Sequence, residues 1–270
     1  MTRSSLRPLA LLAILVGAAP PLAAQAAPGL TVRNDAERRE VVVELGPVDL
    51  PAGSGHLQLP ALHAAFPVDG WLHGYRLEML DAEGREVPRR ALHHVNIMSP
   101  QRRELFSQIM LRIGAAGQET DGPRLPRMMG YRVSAGDGFI ITAMLQNPTE
   151  RALRGVRLRI SFSYTAAGTW LKPLAVLPFY LDVMPPASLH AFTLAPGRSS
   201  RSWEGRPAVA GRIIGVSGHL HRYGVSLVLE DVTAGKVIWD GRPILDADGE
   251  VAGMPTRRFL WRLGFPVRPD

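Results

Sequence analysis

The sequence predicts an all-β protein made of two antiparallel β-sandwich domains, and three observations carry that prediction. Its 23 prolines and 27 glycines in 270 residues break the chain into short segments that suit strands and turns better than long helices. Several stretches alternate polar and apolar residues with a period of two, as a strand with one buried face requires. These stretches recur at short intervals, the spacing of antiparallel sandwiches and not of βαβ units. A composition of 46% hydrophobic and 20% charged residues belongs to a folded protein with a core. It excludes collagen-like, disulfide-scaffold and wholly disordered classes.

Residues 1–27 read as an export signal outside the fold. Arg3 and Arg7 make a positive start, Leu9 to Ala18 an apolar stretch, and Ala24-Gln25-Ala26 a small-x-small cleavage pattern. The apolar stretch is short of the roughly 20 residues that a membrane span needs, and no later stretch approaches that length. The expectation is an exported, periplasmic protein with no membrane association once the signal is cleaved. Loss of Arg3 and Arg7 lowers the net charge from +7 to +5.

The first domain is expected over 28–168. Val41 to Leu45 is strand-like, and Pro47 to Gly55 is rich in turn residues. Gly74 to Leu80 alternates and runs into a turn at Asp81-Ala82-Glu83-Gly84. Leu92 to Met98 is a further strand, whereas Gln101 to Arg112, just after Pro100, has the one helical period of the chain. Gly138 to Leu145 is an apolar strand followed by a turn at Asn147-Pro148-Thr149-Glu150, and Val156 to Tyr164 alternates almost without error. The proline-rich, apolar stretch 169–186 reads as an interdomain linker. A second sandwich over 187–270 is expected from strands at Leu189 to Leu194, Ala210 to His221, Gly224 to Asp231 and Val237 to Trp239.

Absent residues narrow the chemistry. Without cysteine there is no disulfide, thiolate zinc site or cysteine nucleophile. No phosphate-cradling glycine loop, Gly-x-Ser-x-Gly elbow or His-Glu-x-x-His helix is present. The basic excess is almost all scattered arginine, without a run of like charge, which argues against a nucleic-acid partner.

Eight histidines remain, four of them in two tight pairs. His93 and His94 are adjacent; on a regular strand they point to opposite faces, so both reach one ion only through a bend. One buried and one solvated structural histidine is the competing reading. His219 and His221, between Gly218 and Gly224, share one face of a strand, where two imidazoles can chelate one ion. Imidazole suits copper, zinc, iron and nickel. His63 and His73 flank Trp71 as weaker candidates, and His56 and His190, outside any cluster, read as structural.

Taken together, Gly74-Tyr75-Arg76-Leu77-Glu78-Met79-Leu80-Asp81 leading to Leu92-His93-His94-Val95, and Gly218-His219-Leu220-His221-Arg222-Tyr223-Gly224 leading to Leu227 and Leu229, resemble the copper type II, ascorbate-dependent monooxygenases. Peptidylglycine α-hydroxylating monooxygenase and dopamine β-monooxygenase are that family's founding members. The resemblance implies two jelly-roll-like sandwiches, each holding one copper, and an ascorbate-like reductant. It implies an electron-donating copper on His93 and His94 and an oxygen-binding copper on His219 and His221. The third ligand of the first site would fall near Met144, Leu145 and Gln146, where Gln146 offers an amide oxygen in place of a histidine. Met254 is the nearest counterpart of the second site's methionine, and the chain ends before the strand expected to carry it.

The implied function is an exported copper-binding protein that hydroxylates a small molecule with dioxygen and an external reductant. The alternatives are a copper-binding module without turnover and a structural or interaction sandwich with remnant histidines.

Overall fold

A computed structural model describes residues 28–120, 122–183, 195–259 and 264–269. The predicted signal segment, the strand expected at Leu189 to Leu194 and His190 lie outside these described residues. The protein is all-β, with several antiparallel sheets.

The first half holds strands β1 (Gly29–Asp35), β2 (Glu40–Leu50), β3 (Ser54–Gln58), β4 (Leu62–Ala65), β5 (Gly70–Leu80), β6 (Leu92–Arg103), β7 (Met110–Gly117), β8 (Met129–Val133), β9 (Gly138–Asn147), β10 (Leu153–Ala166) and β11 (Leu174–Ala175). One sheet has the order β1-β2-β10-β5-β8-β11; the other runs β3-β9-β6-β7, with β4 also paired to β9. Alternation in sequence becomes alternation in burial. Val156, Leu158, Ile160 and Phe162 of β10 turn inward, as do Phe139, Ile141, Ala143 and Leu145 of β9. The two inner faces close on one continuous apolar cluster, pinned by Phe66 between Phe139 (centroids 4.8 Å apart) and Phe162 (5.8 Å). Its outward face leaves the second sheet free to carry functional side chains.

Asn147 closes the lower end of this core. Its buried amide donates to the carbonyls of Leu50 (3.1 Å), Pro51 (3.0 Å) and Arg151 (2.7 Å). Its oxygen accepts from the Thr149 backbone N–H (3.1 Å) and hydroxyl (2.7 Å).

The helix expected over Gln101 to Arg112 is not formed. Gln101 to Arg103 complete β6 and Met110 to Arg112 open β7, with a bend between them. The sheet offers both arms ladder partners, which an isolated helix of about three turns lacks. Glu104, fully buried, stabilises the bend by accepting the backbone N–H groups of Arg112 (2.7 Å) and Tyr180 (3.2 Å).

The described part of the stretch expected as a linker, through 183, packs on the first half. β11 joins β8 in parallel, and the Arg112 guanidinium is held between the Tyr180 ring, 4.6 Å from its centroid, and the Asp182 carboxylate.

Strands of the second half are short: β12 (Gly211–Ile213), β13 (Gly215–Val216), β14 (Leu227–Asp231), β15 (Lys236–Gly241), β16 (Ile244–Leu245), β17 (Val251–Gly253), β18 (Arg257–Arg258) and β19 (Phe265–Val267). They pair as four two-stranded antiparallel ribbons, β12-β19, β13-β18, β14-β15 and β16-β17. Among the described residues, the buried apolar side chains here are Ile213, Ile238, Trp239 and Val251. The Trp239 indole packs over Gly218, where an added Cβ would stand 2.7 Å from the ring. That contact sets the start of the loop carrying His219 and His221.

Candidate metal centre

On β6, His93 sits at a break in register. Leu92 pairs with Leu145 of β9 and His94 with Met144, so two steps on β6 match one on β9. The extra residue makes a β-bulge, which re-aims side chains next to it. It supplies the bend that regular alternation denies an adjacent histidine pair. Both residues are half-buried between buried Leu92 and Val95, and their rings lie 4.9 Å apart.

His56 belongs to the same place. It is exposed on β3, at the edge of the second sheet, and its ring stacks on His93 with centroids 4.1 Å apart. Nothing in the sequence around His56 marks it; only the pairing of β3 with β9 brings it to the bulge.

The second pair arrives from the other half. His219 and His221 lie not on a strand, as expected, but in the loop between β13 and β14. A turn follows, closed by the Gly224 N–H on the His221 carbonyl at 3.0 Å. The Nε2 atoms of His219 and His221 are 3.0 Å apart. The His221 ring is 5.0 Å from that of His93. The two histidine pairs thus meet in one cluster.

Glu119 completes it. This carboxylate, just beyond β7, has a side chain only 2% exposed and accepts a hydrogen bond from Nδ1 of His219. The Thr120 hydroxyl donates to it as well, at 2.6 Å. Arg89 pins the segment by donating to the carbonyls of Gly117 (3.1 and 2.9 Å) and Thr120 (3.0 Å). Gly117 makes room for it: a Cβ there would stand 2.7 Å from Glu119 Oε2 and 3.1 Å from the His93 carbonyl. A carboxylate only accepts, so Nδ1 of His219 carries a proton, and its Nε2 faces His221. An acid that orients a histidine in this way is the usual outer partner of a metal ligand. A lone glutamate after a strand has no spacing signal, and the sequence does not reveal it.

The electrostatics favour neutral rings at His93, His94 and His221. Burial, reinforced by the neighbouring imidazoles His56, His94 and His221, pushes His93 down to about 4. Burial and the rings of His219 and His221 lower His94, and burial with His219 lowers His221. Burial alone would raise Glu119; the hydrogen bond and charge of His219, with the Thr120 hydroxyl, outweigh it and hold the carboxyl below its ordinary value. Neutral imidazole is the form that binds a metal.

Among the described residues, no three histidine, aspartate or glutamate side chains already converge as a ready-made metal site; the rings pack against one another instead. The donor set nonetheless fits a borderline or soft cation. Two nitrogens held about 2.0–2.1 Å from one ion at a tetrahedral angle lie about 3.3 Å apart, close to the separation of the His219 and His221 Nε2 atoms.

The remaining sequence candidates lie as follows. Gln146 donates through its amide nitrogen to the Arg90 carbonyl (2.9 Å). Met144 stands cross-strand from His94. Half-buried Met254 follows β17, whose Gly253 passes about 4.0 Å from the Glu119 carbonyl, measured from an added Cβ. His63 is exposed. His73 is buried with both nitrogens engaged, by the Met129 carbonyl (2.7 Å) and the Thr165 hydroxyl (2.8 Å), which is a structural role.

Comparison with known proteins returns no matching family model, curated protein or solved structure.

Proposed function

We propose that this chain is an exported copper-binding protein whose chemistry is of the copper-dependent monooxygenase type. The observation that carries the reading is the meeting of His93 and His94 with His219 and His221, pairs drawn from distant parts of the chain. Imidazole donors gathered at such a junction serve no packing purpose that apolar residues would not serve better, whereas copper is bound well by imidazole. His93, His94, His219 and His221 are the proposed ligands, with Met254 and Gln146 as further candidates. A bound copper would supply the redox chemistry of dioxygen, and an ascorbate-like donor the electrons, for hydroxylation of a small molecule.

Metal analysis and copper EPR on protein purified with copper test this reading. Bound copper with a nitrogen-rich type 2 spectrum, lost in the His219→Ala/His221→Ala variant, is expected. Unchanged copper in that variant, or none in the parent, overturns it. Oxygen uptake with ascorbate then separates a turning-over enzyme from a copper carrier.

A further inference from the structure

We propose that His56, His93, His94, His219 and His221 form a single metal centre that joins the two halves of the chain, with His56 as a ligand contributed by the edge strand β3. The proposal rests on the copper-binding reading above and deepens it. Two separate sites would each gather their own ligands, with space between the two sets. Here the rings form one continuous chain: His56 to His93 at 4.1 Å, His93 to His94 at 4.9 Å, His93 to His221 at 5.0 Å, and His221 to His219 at 4.6 Å.

Those spacings suit one locus. An ion about 2.0–2.1 Å from a ring nitrogen lies about 3.2 Å from the ring centre, so tetrahedral neighbours have centroids about 5 Å apart. Three of the four spacings between neighbouring rings are near that figure, and His93 is common to three of the contacts; the rings reach one ion on side-chain rotation, four of them at a time in a tetrahedral site. His56 and His93, stacked and closer, need side-chain rotation to present a nitrogen. The ligands come from three elements, namely the β3 edge, the β6 bulge and the β13–β14 loop. A metal bound there ties the second half to the outward face of the first half's second sheet.

The test uses Co(II) and Cu(II) titrations of the purified protein and of three variants, His56→Ala, His93→Ala/His94→Ala and His219→Ala/His221→Ala, each checked for folding by circular dichroism. The expected result is one uptake event in the parent, weakened about tenfold or more by each variant, since losing a ligand costs no less than losing its outer partner. Two independent events, each removed by the variant of one half while the other persists, overturn the shared centre but leave copper binding intact. No uptake by the parent overturns the copper reading itself. Unchanged uptake in His56→Ala removes His56 from the centre; exposed on an edge strand, that variant keeps the test open if a double variant fails to fold.

Discussion

Glu119 and His219 are joined by a hydrogen bond across 100 positions of sequence, from a buried carboxylate of the first half to a ring of the second. It is the polar contact that both orients a candidate ligand and links the two halves. A buried carboxylate without such a partner would carry an uncompensated desolvation cost, so the bond stabilises Glu119 and His219 alike.

Glu119→Ala is expected to release the His219 tautomer and weaken metal uptake by about 10- to 100-fold. Glu119→Asp is expected to restore part of the loss. Two-dimensional 1H–15N spectra of the imidazoles report the tautomer directly. An unaltered His219 pattern in Glu119→Ala would show that the carboxylate does not set it.

Gly117→Ala puts a methyl group into the space of the Glu119 carboxylate and against the His93 carbonyl. The expected cost is about 1–3 kcal/mol of stability, together with weaker metal uptake, read by denaturant unfolding and titration of the same sample. Full stability with full uptake would mean that the segment yields freely.

Asn147→Ala removes three donated and two accepted hydrogen bonds where β2, β9 and β10 meet. Leaving buried carbonyls unsatisfied costs about 1–3 kcal/mol per group, so a loss of about 3 kcal/mol or more is expected in urea unfolding. Metal uptake by the folded fraction is expected to be unchanged, which separates this position from the histidine cluster.

Glu104 links stability to pH. Burial raises its carboxyl above the ordinary 4.5, only partly offset by the Arg112 N–H and charge and the Tyr180 N–H. The folded chain therefore keeps this proton to higher pH than the unfolded chain. Between 4.5 and the raised value the folded state binds more protons, and Glu104's contribution to stability falls as pH rises. Glu104→Gln is expected to flatten that slope, measured by unfolding across mildly acidic pH. Glu104→Ala, which orphans two backbone N–H groups, is expected to destabilise by about 2–5 kcal/mol.

Much of the first half was legible from the residues. Period-two alternation at Val156 to Tyr164 and Gly74 to Leu80 reports burial on one face, and the structure buries those faces. The Gln101 to Arg112 period misled because helical spacing is a local property, whereas the bend there is held by Glu104, which accepts from Arg112 across the bend and from Tyr180, 76 positions away. In the second half, the strands expected over Ala210 to His221 and Gly224 to Asp231 proved shorter than expected, whereas that at Val237 to Trp239 extends to Lys236–Gly241. They pair as two-stranded ribbons that leave Val228, Val237, Ile244 and Leu245 exposed, and His219 and His221 fall in a loop.

By itself, the sequence determined the all-β class and singled out the paired histidines, because alternation and residue chemistry are written in neighbouring positions. Tertiary structure alone decided that the bulge at His93 turns the adjacent pair together, that His56 stacks on it, that Glu119 orients His219, and that the four paired histidines meet in one cluster. Each of these depends on strand register or on contact between segments far apart in the chain. Such contacts are set by the packing of whole sheets and leave no periodic trace in the residues that make them.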